Sequence, residues 1–272
     1  MSTRPPPRVL AIAGSDSSGG AGIQADIKTI TMLGGYAMTA ITAITAQNTI
    51  GVSAVEALSP EMVAAQIDAC LSDIGADAVK IGMLGSPAIA ASVAERLDGL
   101  GVPIIFDPVM VASSGSVLAD GATIAAFEQL MGLATLVTPN LPELAVLSGR
   151  GGLEDDAIIA AASMLAERHG CAVLAKGGHG EGERVRDILI DPNGRAAAFE
   201  DARIASRHTH GTGCTLSSAI ATLLGAGQSL EHSVRLSRQF VRLALKAAPG
   251  FGAGHGPMGH HAVRRPAPDR PA

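Results

Sequence analysis

The sequence predicts a three-layer α/β domain in which a central, mostly parallel sheet is covered by helices on both faces. Three observations carry that expectation. Short apolar runs alternate with helical patterns through nearly all of the 272 residues. The apolar content is aliphatic, with no Trp and a single Tyr, which suits strands buried on both faces better than a core of large rings. Many of the apolar runs also end in a polar residue, at the place where open parallel sheets bind ligands. A chain of this length fits one α/β unit, and no repeat or linker divides it. One domain over 8–259 is expected, and the Pro- and Arg-rich stretch 260–272 is expected to be a disordered tail.

Each element has its own reason. "VLAIAG" is a buried strand that runs through a glycine-rich turn into a helix from about Gly20 to Leu33. "AMTAITAITAQN" has Thr at every third position but is rich in β-branched residues between turn signals, so a strand is expected. "PEMVAAQIDACLSDIG" places Val63, Ile67, Cys70 or Leu71, and Ile74 on one helical face. Strand "AVKIGML", helix "SPAIAASVAERLDG", strand "PIIFDPVM", a helix near 120–131 and strand "ATLVTPN" follow. Helices are expected at 141–149 and 154–169, then the buried strand "CAVLAKGG". "VRDILIDPNGRAAAFE" is a hairpin, because Asp-Pro-Asn-Gly is strong turn chemistry between extended runs. Helices at 213–225 and 229–247 complete the domain.

Charge and composition narrow the partners. The formal net charge is −5 with acids and bases interspersed, and no basic stripe marks a nucleic-acid surface. No apolar run is long enough for a membrane span, and the N-terminal apolar stretch is too short for a signal peptide. Three scattered cysteines make neither a disulfide framework nor a metal cluster. A cytoplasmic protein acting on a small molecule is expected.

The strand ends gather the chemistry: Gly14-Ser15-Asp16, Gln47-Asn48, Lys80 with Met83, Asp107, Asn140 with Glu143, and Lys176. "GSDSSGGAGIQAD" is a glycine-rich loop opening a helix, with Asp26 inside it, and it matches neither a Walker A sequence nor a dinucleotide fingerprint. Asn140 and Glu143 in "TPNLPE" are oxygen donors of the kind that hold Mg²⁺, although Asn before Leu-Pro also makes an ordinary N-cap. Lys176 ends a buried strand at a Gly-Gly turn and suits polyphosphate as a point charge. In "HTHGTGCT", Gly211, Thr212 and Gly213 bring backbone N–H groups to a helix N-terminus, a natural anion site. Cys214 sits in that first turn, where a thiol pKa is expected to fall. It is then a base or a nucleophile, unless it is a small buried thiol. His210 is expected to face phosphate and His208 to support it, whereas His255, His260 and His261 lie in a glycine-rich stretch without the look of a metal cluster.

In order along the chain, "AGSDSSGGAGIQADIKT", "TAQNT", "KIGML", "DPVM", "TPNLPE", "KGGH" and "HTHGTGCT" closely resemble the hydroxymethylpyrimidine/phosphomethylpyrimidine kinases of thiamine biosynthesis, in the vitamin-kinase branch of the ribokinase-like fold. The resemblance implies ATP-dependent phosphorylation of 4-amino-5-hydroxymethyl-2-methylpyrimidine and then of its monophosphate. It implies that Gln47 reads the aminopyrimidine edge, with Gly14, Ala21, Asp26 and Val109 around it and Met83 against the ring. It puts Lys176, Asn140, Thr209 and His210 on ATP, and Asp107, Asn140 and Glu143 on Mg²⁺. Cys214 stands where most ribokinase-like enzymes place an aspartate base, behind the loop Gly211, Thr212 and Gly213. A homodimer is the expected assembly.

The nearest alternative is a pyridoxal or pyridoxine kinase of the same fold. Gln47 argues for the pyrimidine, since an amide donates and accepts at once and so matches an amino group beside a ring nitrogen. A pyrimidine sensor without catalysis would be free to lose the phosphate loop, Lys176 and the base. A cysteine hydrolase would need a histidine at the thiol, for which His210 is the nearest in sequence.

Overall fold

In the computed structural model, which describes residues 5–111, 115, 118–150, 154–179 and 182–263, strands and helices alternate as the apolar pattern dictates. The elements are β1 (Arg8–Asp16), α1 (Gly22–Met32), β2 (Tyr36–Gln47), β3 (Val52–Ala57), α2 (Pro60–Asp73), β4 (Ala78–Ile81) and α3 (Pro87–Leu97). They continue with β5 (Ile104–Phe106), α4 (Gly121–Leu133), β6 (Leu136–Val137), α5 (Leu141–Ser148), α6 (Asp155–His169) and β7 (Ala172–Ala175). The hairpin β8 (Arg184–Ile190) and β9 (Ala196–Ala202) precedes α7 (Thr212–Gly225) and α8 (Leu230–Lys246).

Helix starts are written locally. Ser59 and Ser86 cap the helices that follow them, each just before a proline at the first helical position. Asp120 caps α4, and Asn140 with Glu143 closes a reciprocal capping box on α5.

One nine-stranded sheet runs in the order β3-β2-β1-β4-β5-β6-β7-β8-β9. The block from β2 to β7 is parallel, while β3, β8 and β9 add antiparallel strands at the two edges. Side-chain alternation splits the core in two. Leu10, Ile12, Val79, Ile81, Phe106 and Val137 face α2 to α6, and Phe106 meets Phe127 edge-on at 5.1 Å between ring centroids. Val9, Ala11, Ala78, Ile105 and Leu136 face the opposite way, against Ile30 of α1, Leu216 and Ile220 of α7 and Val234 of α8. This is the three-layer arrangement expected from the sequence.

Three details differ from expectation. Strand β3 had no sequence signal, because five of its six residues are exposed and nothing in them alternates. At the start of the expected tail, His260–Ala262 form a short 3₁₀ turn, and His260 and Val263, with Met258 just before them, are buried against α8 or α7. Their apolar contacts with Phe240 and Ala244 outweigh the Pro- and Arg-rich composition that suggested disorder. The remainder of that tail, 264–272, lies outside the described residues. On α2, Ile74 turns out to be exposed at the helix end, and Cys70 is half-buried.

Lys80 lies on the same face of β4 as Ala78, so its side chain enters the layer between β4, α1 and α7. Its Nζ donates to both carboxylate oxygens of Asp26 at 3.0 Å, and Ser218 Oγ donates to the same carboxylate at 2.6 Å. All three residues are fully buried. Breaking such a pair strands a charge in the interior, so Lys80→Met should cost about 3–5 kcal/mol of stability, whereas the double change Lys80→Met with Asp26→Leu should recover most of it. Chemical denaturation of both variants checks this, and equal loss in the two would show that the pair is not what holds this layer.

Candidate functional site

A cleft of about 880 Å³ opens at the carboxyl ends of the parallel strands, where the strand-end residues were expected to converge. Gly14, Gln47, Met83, Asp107, Val109, Asn140, Glu143 and Lys176 all line it, as do Ala21 and the segment Thr209 to Cys214. Asp26 does not line it. That residue was expected at the substrate, but its carboxylate is spent on Lys80 and Ser218 beneath the floor.

At the start of α7, Gly211 is the N-cap with φ 84°, a left-handed conformation that favours glycine. A side chain there would also run into the carbonyl of Gly20, so the 208–214 loop and the 16–21 loop lie backbone to backbone. Next to Gly213 lie the Lys176 ammonium and the Asp107 carboxylate: a Cβ built there would be 3.3 Å from each. Those two groups pair with each other, Lys176 Nζ donating to Asp107 Oδ1 at 2.6 Å, and Thr138 Oγ1 donates to the same oxygen at 3.0 Å. Burial works against the Lys176 charge, but Asp107 and Glu143 outweigh it and hold its pKa above the ordinary lysine value.

Asn140 and Glu143 face each other rather than outward. Asn140 Oδ1 accepts from the Glu143 amide at 2.9 Å, and the Asn140 amide donates to Glu143 Oε2 at 2.8 Å. Burial raises the Glu143 carboxyl to about 7; Lys176 opposes that rise and Asp107 adds to it.

Cys214 occupies the first turn of α7 and is half-buried. The expectation of a lowered pKa is wrong. Burial raises the thiol to about 11, with Lys80 pulling down and Asp26 and Asp107 pushing up. The Gly22 amide, which donates to the sulfur, recovers little of this. Desolvation and two carboxylates outweigh the helix terminus, whose partial charge is all that the local sequence reveals.

His210 was expected to face phosphate. It is buried against Gly20, with Nε2 2.8 Å from Asp16 Oδ2. The same carboxylate accepts from the amides of Ser18, Gly20 and Ala21 and from Ser18 Oγ, so Asp16 shapes the whole glycine-rich loop. Burial alone would raise Asp16, but His210 and those donors hold it down at about 2. Gln47 is tied in as well: its backbone amide donates to Ser17 Oγ, and Ser17 Oγ donates to its carbonyl, each at 2.8 Å.

Behind α7, His260 lies buried with Nε2 2.8 Å from Thr215 Oγ1. Burial, with Lys28 and His261, drops its pKa to about 4, so the ring is neutral and shares one hydrogen bond with the Thr215 hydroxyl. His208 lies against Gly256 and His255 lines the cleft. The described residues hold no group of three or more His, Cys, Asp or Glu suited to a metal, and no helix among them is long and apolar enough to cross a membrane.

Sequence reading placed Lys80 and Asp16 among the strand-end groups that could hold a ligand, and of these Asp16 lines the cleft while Lys80 does not; it gave Ser218 no part and His260 none beyond the dismissed metal cluster. A lysine inside an apolar four-residue strand was a usable signal for the buried Lys80, while the partners of the others are distant in sequence and left no local trace.

The family profile described as phosphomethylpyrimidine kinase matches residues 16–259. A hydroxymethylpyrimidine/phosphomethylpyrimidine kinase of Rhizobium meliloti is 46% identical over 255 residues, covering 92% of this chain and 96% of that protein. Among solved structures, a phosphomethylpyrimidine kinase from Clostridium difficile is 40% identical with a TM-score of 0.77, covering 86% of this chain and 97% of its own. A pyridoxal kinase from Staphylococcus aureus, in complex with AMP-PCP and pyridoxal, is 32% identical with a TM-score of 0.87 and covers 95% of each chain.

Because burial holds the proton on Cys214, its alkylation by iodoacetamide in the ligand-free protein should be slow at pH 7. The rate should rise about tenfold per pH unit toward 11, as the thiolate fraction grows. Mass spectrometry of the Cys214 peptide measures this, and a plateau below pH 8 would show a thiolate already formed at neutral pH.

Proposed function

The chain belongs to the phosphomethylpyrimidine kinase family, and from that premise we propose that it transfers the γ-phosphoryl group of ATP to 4-amino-5-hydroxymethyl-2-methylpyrimidine and then to the monophosphate. The observation that carries the reading is the meeting, at Gly213, of an N-terminal helix loop, the Lys176 ammonium and the Asp107 carboxylate, one residue before Cys214. Phosphoryl transfer asks for positioning and charge neutralisation more than covalent chemistry, and this junction offers both.

In this reading Lys176 and the backbone N–H groups of Gly211 to Gly213 hold transferring phosphate, with Thr209 beside them and Asn140 supporting from the cap of α5. Gln47 faces the aminopyrimidine edge, Met83 packs on the ring, and Gly14, Ala21 and Val109 shape its pocket. His210 moves from the phosphate side of the proposal to the ring side, since its Nε2 is held by Asp16. The hydroxymethyl oxygen forms the new P–O bond as its proton passes to the Cys214 thiolate, the form left once the thiol has lost the proton that burial holds on it, and the Pγ–O bond to ADP breaks.

Mg²⁺ fits two of the three residues expected to hold it. Asp107 and Glu143 are carboxylates that converge on Lys176, suitable for a hydrated divalent cation. Asn140 and Glu143 each spend one side-chain oxygen on the capping box, which leaves Glu143 a second carboxylate oxygen and Asn140 none, so Asn140 is the weaker candidate. The ion, when bound, would neutralise phosphate charge. A homodimer and a cytoplasmic setting go with the proposal: Ile44, Ile50 and Val55 leave apolar surface on the β2–β3 edge, and ATP is the donor.

Assays with the hydroxymethylpyrimidine, its phosphate and pyridoxal side by side test the substrate reading, which fails if pyridoxal is the preferred acceptor. For the base, Cys214→Ala should lower kcat roughly 100- to 10,000-fold while substrate binding barely changes. With its thiol near 11, the native enzyme should gain activity as pH rises from neutral, and Cys214→Asp should move that rising limb to lower pH because a carboxylate ionises earlier. A pH profile that is unaltered in Cys214→Asp would remove the thiol from the proton path.

A further inference from the structure

The ring side of the cleft contains a hydrogen-bonding conflict whose resolution assigns a role to His210. Gln47 Nε2 stands 3.4 Å from His210 Nε2. His210 Nε2 is also 2.8 Å from Asp16 Oδ2. Asp16 is ionised, its pKa held at about 2, and a carboxylate only accepts. Nε2 of His210 therefore carries the hydrogen, and two donors would face each other across 3.4 Å.

Thr45 supplies the second half of the conflict. Its hydroxyl lies 3.1 Å from the Ser15 carbonyl and 3.2 Å from Gln47 Oε1, yet it has one hydrogen to give to two acceptors. Turning the Gln47 amide over resolves both problems at once. Nε2 then donates to Thr45 Oγ1, the Thr45 hydrogen stays on Ser15, and Oε1 rather than an N–H faces His210 Nε2, whose one hydrogen goes chiefly to Asp16 at 2.8 Å and only weakly to the amide at 3.4 Å. No donor then faces a donor, and Gln47 keeps one N–H and one lone pair free.

We propose that Asp16 and His210 form a positioning pair that fixes which way the Gln47 amide faces, and thereby determines the ring the enzyme prefers. Asp16 anchors the imidazole, the imidazole sets the amide, and the amide presents a donor beside an acceptor to the substrate. The pair is rigid because Gly20 lies flat against the imidazole, where a side chain would collide with it, and because Ser17 clasps the Gln47 backbone from both sides. The inference rests on the reading of Gln47 as the ring-edge contact, and it goes beyond that reading by naming what orients the amide.

The test is a double-mutant cycle on the full chain. His210→Leu removes the donor while keeping an apolar side chain of similar bulk, and His210→Gln restores an N–H at comparable reach. The readouts are KM for the hydroxymethylpyrimidine, pyridoxal and ATP, with calorimetric binding of the pyrimidine in the absence of ATP. His210→Leu should raise the pyrimidine KM and weaken its binding by roughly 10-fold or more, leaving the KM values for pyridoxal and ATP within about twofold, because only a hydrogen-bonded edge is misread. His210→Gln should recover most of the loss, and adding His210→Leu to Gln47→Met should change nothing further, because the imidazole acts through the amide. A rise in ATP KM in His210→Leu would overturn the proposal and return His210 to the phosphate. Additive effects in the cycle would overturn it too, leaving Gln47 as a ring contact on its own. If Gln47→Met alone leaves the pyrimidine-to-pyridoxal ratio unchanged, the ring-edge reading itself falls and the pair falls with it.

Discussion

The buried contact between Lys80 and Asp26 governs how the floor of the cleft is built. An ammonium in an apolar layer is tolerated only with a carboxylate at hydrogen-bonding distance, so β4, α1 and α7 must meet in one register to supply Lys80, Asp26 and Ser218. That register also sets the depth at which α7 begins. Gly82, just beyond β4, has no side chain, and a Cβ there would sit 2.7 Å from the ammonium. Lys80 is also the principal influence that lowers the Cys214 pKa. One interaction thus sets where the helix starts and how the thiol in its first turn is polarised.

The charges above that floor work as a matched set. Lys176 lies between Asp107 and Glu143, and each carboxylate raises the ammonium's pKa while their mutual repulsion helps to lift Glu143 to about 7. In the proposed reaction a polyphosphate entering beside Gly213 would compete with Asp107 for the same ammonium. Exchange of one anion for another at a fixed cation requires little movement of the protein, which suits a reaction whose catalysis is electrostatic. At the other end of the cleft, Asp16 does comparable work on a loop: five donors converge on its two oxygens.

Much of this was legible in the sequence, for reasons that can be stated. Strand–helix alternation gave the layers, the Asp-Pro-Asn-Gly turn gave the β8–β9 hairpin, and polar residues at strand ends gave the cleft, because all three are signals within a few residues of one another. Failures came where the deciding partner is remote. Asp26 reads as a loop-proximal ligand until Lys80, 54 residues away, takes its carboxylate. His210 reads as a phosphate contact until Asp16, 194 residues away, claims its nitrogen. The Cys214 thiol was misjudged because a helix terminus is visible in sequence while the desolvation of its sulfur is not. His260 was misjudged because composition says nothing of the α8 surface that receives the segment around it.

The backbone contact between Gly211 and Gly20 ties together two segments almost two hundred residues apart in the chain. Neither loop has room to change its path without the other. In an evolving lineage they form a single heritable unit: a substitution that shifts one creates selection for a matching shift in its mate. A chimera that imports the 16–21 loop from a relative with a different backbone course must import the 208–214 loop with it, or the two will collide.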